Sequence, residues 1–199
     1  MISTAQSKSL IRKQIRQKRQ SLSLQQANQA GISLAKQLSA HLSIQPAHKI
    51  ACFLSFDREI ATQSVIQQIF NANARCYLPK LRPLKPYRLW FMPYFPKSPV
   101  SKNHYGIDEV DQSLSEAIRP STLDIVLMPL VAFDRQGNRL GMGAGYYDAT
   151  FAHLAKSQKR PKFIGLAYEF QRQKTLPFDP WDIPLDGVCT EQGFYDFVK

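Results

Sequence analysis

Apolar residues recur at helical spacing in the first part of the chain and gather into short continuous runs further on. Ile11, Ile15 and Leu22 fall at intervals of four and seven, which predicts a helix from Lys8 to about Gln20 with a narrow apolar stripe. Lys8, Arg12, Arg16 and Arg19 share a neighbouring face of that helix. Ser23 is placed to cap a second helix, along which Ala27, Ala30, Leu34 and Leu38 repeat at helical intervals. Lys49 to Phe56 is rich in Ile, Phe and Leu and too short for a buried helix, so a core strand is expected there. Asp57-Arg-Glu59 follows as a loop. Thr62 is expected to cap a short helix carrying Val65, Ile66, Ile69 and Phe70, and Ala74 to Leu78 to form the next strand, closed by Pro79.

Six prolines between Pro79 and Pro99 surround the apolar run Leu89 to Met92, which predicts a strand held between stiff loops. Asp124 to Val131 is another apolar run, interrupted by Pro129, and it leads into a glycine-rich segment. A helix is expected from near Tyr146 toward Lys156, then a strand from Lys162 to Ala167 and a last strand that includes Val188 and Cys189. No internal repeat or low-complexity tract interrupts this order. Strands alternating with helices predict an α/β fold with substantial parallel pairing, in which ligands bind at the carboxyl ends of strands. The glycine segment occupies such an end.

Composition narrows the class. A chain of 199 residues with 44% apolar content is large enough for one core, and a single domain over residues 1–199 is expected. No apolar run approaches the ~20 residues that cross a bilayer, and no apolar segment follows the basic residues of the N-terminus, so the expectation is a soluble protein that is not secreted. Cys52, Cys76 and Cys189 are far apart and odd in number, which argues for buried free thiols in a reducing cytoplasm. Net charge is +11 and unevenly spread: no carboxylate precedes Asp57, whereas the tail from Glu169 is acid-rich. Such a field gathers anions, either nucleic acid or a small polyanion such as a nucleotide. The histidines His41, His48, His104 and His153 are scattered without a His-Glu-x-x-His pattern, and no serine sits in a Gly-x-Ser-x-Gly elbow, so metal-hydrolase and serine-hydrolase readings have no support.

The most specific chemistry lies between Asp134 and Asp148. Gly141, Gly143 and Gly145 let the backbone adopt positive φ and approach a ligand, Arg139 offers a fixed cation, and Asp148 offers a hard oxygen for a metal. The spacing is not that of a P-loop. Gln-Gly-Asn is good turn chemistry, so a plain hairpin is the competing reading. Phosphate binding is favoured because Arg139 and Tyr146-Tyr147-Asp148 flank the glycines and a helix N-terminus is expected just beyond them.

The segment Pro129 to Asp148, with Gly-Met-Gly-Ala-Gly-Tyr-Tyr-Asp at its end, closely resembles the signature of the 5-formyltetrahydrofolate cyclo-ligases, also called 5,10-methenyltetrahydrofolate synthetases. Weaker similarities keep the family's order: Lys8 with Arg12, Leu54-Ser-Phe-Asp-Arg-Glu59, Asn103-His-Tyr-Gly-Ile107, Tyr168 to Gln171, and Asp182 to Asp186. The resemblance implies a three-layer α/β/α fold with a central, largely parallel sheet. It also implies Mg²⁺- and ATP-dependent conversion of 5-formyltetrahydrofolate to 5,10-methenyltetrahydrofolate, with ADP and phosphate released. By the same resemblance Lys8, Arg12, Arg139 and the loop Leu140, Gly141, Met142, Gly143, Ala144, Gly145, Tyr146 and Tyr147 would hold ATP. Leu54, Glu59, Tyr105 and the loop's Met142 to Tyr146 would meet the folate, and Asp148 with Asp182 would hold Mg²⁺. Arg16 and Arg19 are left as a solvated helical face.

The chain departs from the family pattern at Met142, Ala144 and Ala149, where some members carry basic side chains, so phosphate charge must be met by backbone N–H groups and by Lys8, Arg12 or Arg139. Small-molecule substrates, a monomer, no membrane and no nucleic acid are the expected partners. A nucleic-acid-binding relative without catalysis, or an enzyme acting on another formyl or amide heterocycle, are the alternatives. Retention of both Arg139 and Asp148 weighs against the first, because a backbone binder gains nothing from the carboxylate.

Overall fold

In the computed structural model, residues 4–82, 87–154, 157 and 159–197 are described. Helices α1 (Thr4–Gln20) and α2 (Leu24–His41) open the chain, separated by a capping box in which the Ser23 hydroxyl accepts from the Gln26 N–H and the Gln26 side chain accepts from the Ser23 N–H. Then come β1 (Lys49–Ala51), α3 (Gln63–Asn71), β2 (Arg75–Leu81), β3 (Leu89–Tyr94), β4 (Val100–Lys102) and β5 (Asp108–Val110). The second half runs through β6 (Ile125–Pro129), β7 (Ala132–Phe133), β8 (Arg139–Leu140), α4 (Tyr146–Phe151), β9 (Lys162–Leu166), β10 (Gly187–Cys189) and β11 (Phe194–Asp196).

Seven strands form the central sheet in the order β11-β10-β9-β6-β1-β2-β3. Its five middle strands are parallel and the edge strands β3 and β11 antiparallel. Alternate residues feed opposite faces, as the pleat requires. Ile50, Leu127 and Ile164 pack with Leu34 and Leu38 of α2 and Val65 and Ile69 of α3. Ala51, Val126, Met128, Phe163 and Val188 pack on the other side with Phe151 of α4. The architecture is therefore the three-layer α/β/α arrangement that the resemblance implied. From β1 the chain proceeds one way to β2 and β3, and from β6 the other way to β9 and β10. The carboxyl ends of β1 and β6 thus flank the point where strand order reverses, the usual place for a ligand in such sheets.

Several boundaries differ from expectation. The first strand stops at Ala51 rather than Phe56, because side chains replace the ladder beyond it: Thr62 Oγ1 donates to the Phe53 carbonyl at 2.6 Å and the Thr62 N–H donates to Ser55 Oγ at 3.0 Å. Thr62 therefore does not cap α3 with its side chain. Pro79 does not close β2. The N–H groups of Arg75 and Leu81, at the same strand parity, point away from β3, to the His48 carbonyl and to Glu109 Oε1, so proline costs no β2–β3 bond at that parity. Helix α1 begins at Thr4, α4 is shorter than expected, and residues 155 and 156 of its expected end lie outside the described residues. Val188 and Cys189 do form a strand, but β11 follows it, and the small β4–β5 hairpin was not foreseen.

Gly31 sets the distance between α2 and the segment before α3: a Cβ there would stand 2.6 Å from the Ala61 carbonyl oxygen and 2.7 Å from its Cβ. Gly31→Val is expected to destabilise the fold by about 1–3 kcal/mol through overpacking against backbone. Thermal unfolding measures it, with Gly193→Ala, where the new Cβ meets nothing within 4 Å, as the comparison.

Candidate active site

The glycine segment is a hairpin in its first half and an irregular loop in its second. Strands β7 and β8 pair antiparallel around the turn Asp134 to Asn138, where Gly137 takes φ +81°. Asp134 is buried and binds the turn: Oδ1 accepts from the N–H groups of Gln136 at 2.9 Å and Asn138 at 3.1 Å, and Oδ2 accepts from the Leu176 N–H at 2.9 Å. The hairpin reading thus describes the first half of the motif, Ala132 to Leu140. Ile11 of α1 packs on Ala132, Leu140 and Leu176, which lays the cationic face of α1 over the loop that leaves β8.

In that loop Gly143 has φ +118° and Gly145, the residue before α4, has φ +68°. These are conformations glycine reaches without strain. Gly141 is not in the left-handed region, contrary to expectation; a Cβ there would stand 3.6 Å from Arg139 Nη1. Helix α4 has only 6 residues, so its dipole contributes less than a long helix would.

Three cations surround the loop. Arg12 Nε donates to the Gly141 carbonyl at 2.9 Å, and its terminal nitrogens form no ion pair among the described residues. Burial pulls the Arg12 pKa below the ordinary arginine value, with Asp182 opposing that. Arg139, only 4% exposed at its side chain, donates from Nη2 to Asp148 Oδ1 at 2.5 Å, while its Nε lacks a partner. Lys8 Nζ lies 2.7 Å from Asp179 Oδ2 and 3.1 Å from Asp182 Oδ2. Burial works against the Lys8 charge, but the hydrogen bonds to Asp179 and Asp182 outweigh it and hold Lys8 above the usual lysine range. A cleft of about 510 Å³ gathers Lys8, Arg12, Arg139, Leu140, Gly141, Gly143, Ala144, Gly145, Asp148 and Asp182.

Asp148 Oδ1 also accepts from the Ile183 N–H at 3.0 Å, and Asp182 Oδ2 accepts from the Asp179 N–H at 2.9 Å, so Asp182 is a turn cap as well as a cleft carboxylate. Among the described residues no group of three or more His, Cys, Asp or Glu gathers to hold a metal. Asp148 and Asp182 on the wall of the cleft nonetheless fit Mg²⁺, which takes one or two protein carboxylates and completes its shell with phosphate oxygens and water.

Of the residues expected to meet folate, Gly143, Ala144 and Gly145 line this cleft, whereas Leu54, Glu59, Tyr105, Met142 and Tyr146 lie apart from it. Tyr105 is exposed, and its hydroxyl is 3.2 Å from that of Tyr146, whose ring neighbours Tyr87 of the cleft at 6.1 Å between centroids. Leu54 is half-buried against the core. Glu59 is not a solvated loop charge: its side chain is 13% exposed, Oε2 accepts from the Phe56 N–H at 3.2 Å, and burial pushes its carboxyl up to about 7 against the opposing field of Arg19. Tyr147 joins the two regions, with burial first and then the Glu59 charge raising its hydroxyl and Arg139 lowering it. Met142, Tyr146 and Tyr147 do not line the cleft. The solvated face holds for Arg16, which is exposed, and is wrong for Arg19. Arg16 pairs with Asp57 at 3.1 Å, and Arg19 is 0% exposed because the loop after β1 folds over it.

Tyr87, Asp179 and Trp181 line the cleft and were not picked out from sequence. Trp181, 69% exposed between two prolines in a polar stretch, carried a usable signal, since an indole is seldom left in water without use.

Comparison with known proteins shows the family and the fold. The model of the 5-formyltetrahydrofolate cyclo-ligase family matches residues 4–191. The 5-formyltetrahydrofolate cyclo-ligase of Escherichia coli is 37% identical over 183 residues, covering 92% of this chain and all of its own, and that of Haemophilus influenzae is 38% identical over 180 residues, covering 90% and 95%. The 5,10-methenyltetrahydrofolate synthetase structure from Aquifex aeolicus superposes with a TM-score of 0.77 at 26% identity, covering 96% of this chain and 93% of its own. That from Mycoplasma pneumoniae gives 0.70 at 28% identity, covering 92% and 98%. On its fold, its glycine loop and these similarities, the chain belongs to the 5-formyltetrahydrofolate cyclo-ligase family.

Proposed function

We propose that the protein converts 5-formyltetrahydrofolate to 5,10-methenyltetrahydrofolate with ATP, releasing ADP and phosphate. The observation that carries this reading is the convergence of Lys8, Arg12 and Arg139 with a positive-φ glycine loop and the carboxylates Asp148, Asp179 and Asp182 on one cleft, beside the loop that buries Glu59.

A formamide carbon is too weakly electrophilic for the neighbouring N10 amine. Transfer of the γ-phosphoryl group to the formyl oxygen forms an O–P bond, breaks the β–γ bridge and lets ADP leave. N10 then attacks the activated carbon, loses its proton, and expels the former formyl oxygen as phosphate. Such a transfer asks the protein for in-line placement and charge neutralisation rather than covalent help. The loop N–H groups around Gly143 and Gly145 cradle the phosphates, Arg12 supplies charge from above, and Lys8 exchanges its carboxylate partners for phosphate oxygen. Asp148 and Asp182 would hold Mg²⁺, which supplies neutralisation of charge on the phosphate oxygens. Glu59 accepts hydrogen bonds from the donor-rich 2-amino-pyrimidinone edge of the pterin, with Leu54 and Tyr105 as walls. Tyr87 and Trp181 offer aromatic faces at the cleft.

A monomeric, single-domain cytoplasmic enzyme acting on small molecules is the proposed setting; among the described residues no helix is long and apolar enough to cross a membrane. Protein supplied with Mg²⁺, ATP and 5-formyltetrahydrofolate is expected to develop the near-ultraviolet absorbance of the methenyl product, and none with ATP omitted. A folded sample that gives no ATP-dependent absorbance removes the folate reading.

A further inference from the structure

Arg19 is a fully buried guanidinium at the far end of α1 from Lys8 and Arg12. Its Nη2 donates to Asp57 Oδ2 at 3.3 Å, yet Nε and Nη1 have no hydrogen-bond partner, and Nη1 stops 3.9 Å from Glu59 Oε1. Burying a cation is costly unless it is paired and its donors are satisfied. An arginine retained only to pack α1 would be expected to use its fork; this one leaves two donors idle beside a carboxylate that is itself nearly buried. Arg16 pairs with Asp57 from the same helix and steadies the loop that carries Glu59.

Building on the reading of Glu59 as the pterin acceptor, we propose that Arg19 is a positioning residue for folate: it keeps the Glu59 carboxylate charged and aimed, and so sets folate affinity without touching the substrate. The other titratable groups facing Glu59 do not do this. Asp57, in the same loop, opposes its charge; Tyr147 of α4 is held neutral by burial; and Tyr168 donates its hydroxyl at 3.4 Å to the Glu59 backbone carbonyl rather than to the carboxylate. Arg19 and the Phe56 N–H are the groups that favour the ionised form.

The test is the dissociation constant of 5-formyltetrahydrofolate, measured by calorimetry without ATP from about pH 6 to about pH 9, a range that spans shifts of the size a neighbouring cation produces. Glu59 must be ionised to accept from the pterin, so wild-type binding weakens as pH falls through about 7. Removing the cation in Arg19→Met raises the Glu59 pKa, so the midpoint is expected to move up by about one pH unit, with affinity recovered at the alkaline end. Arg19→Lys should restore the midpoint most of the way. Should Arg19→Met fail to fold, Arg19→Gln makes the same comparison. Glu59→Gln should bind weakly at every pH, and adding Arg19→Met to it should weaken binding no further. An unmoved midpoint in Arg19→Met, with Glu59→Gln weak, overturns the role given to Arg19. Wild-type affinity in Glu59→Gln identifies a different failure, that of the pterin reading itself, and the inference falls with it.

Discussion

Asp148→Asn is expected to lower turnover by at least about 10²-fold, the scale set by loss of a group that stabilises transition-state charge through a metal. Asparagine keeps an oxygen for the Ile183 N–H but loses the negative charge that faces both Arg139 and the cleft. The Mg²⁺ concentration giving half-maximal rate should rise with the fall in turnover, because Asp182 would be left as the sole carboxylate ligand. Two quantities therefore need measuring together, turnover at saturating ATP and its dependence on Mg²⁺. A merely structural Asp148 would lower the melting temperature and leave the Mg²⁺ dependence unchanged. Near-wild-type turnover in the variant would place the metal elsewhere.

Arg12→Met should reduce kcat by about 10²–10³-fold, as removal of one preorganised donor does in other transition-state sites. Among the described residues Arg12 forms no ion pair, whereas Lys8 and Arg139 are each engaged with carboxylates. Its guanidinium lies 3.7 Å from where a Cβ on Gly143 would stand, directly over the positive-φ part of the loop. Because Met142, Ala144 and Ala149 contribute no charge, little else near the loop replaces it. Methionine preserves much of the packing of the aliphatic stem, so the melting temperature should change little. An unchanged kcat with raised KM for ATP would mean that Arg12 contributes to ground-state binding alone.

The parts of the molecule that were legible in the sequence are those whose signal is local. The stripe on α1, the Ser23 cap, the apolar strands of the sheet and the turn chemistry of Gln136-Gly137-Asn138 each carry their own cause, and each appears where the pattern put it. The short strands β4, β5 and β11 lack the continuous apolar run that marks β1 and gain their stability from their partners, so no window of sequence announces them. Arg19 illustrates the same limit at the site. Helical spacing places it on a face with Arg16, but only the fold brings the loop of Asp57 and Glu59 over one arginine while the other stays half-exposed. Asp179 and Trp181 reach the cleft from more than thirty residues beyond the glycine loop, through the Asp148 bond to the Ile183 N–H, a contact that no spacing rule encodes.

Helix α1 connects the two halves of the proposed site. Its first turns bear Lys8 and Arg12 over the phosphate cleft, and its last turn delivers Arg19 to Glu59. At about 1.5 Å of rise per residue, the helix sets Arg19 roughly 10 Å from Arg12 and roughly 16 Å from Lys8, a separation that would keep the proposed nucleotide and pterin contacts distinct.

The central claim is that the backbone from Arg139 to Asp148 holds the triphosphate. A crystal structure with Mg²⁺ and a non-hydrolysable ATP analogue tests it most directly. The expected result is phosphate density against the N–H groups around Gly143 and Gly145, with Arg12 alongside and the metal on Asp148. Phosphate density bound away from residues 139–148 would contradict the account.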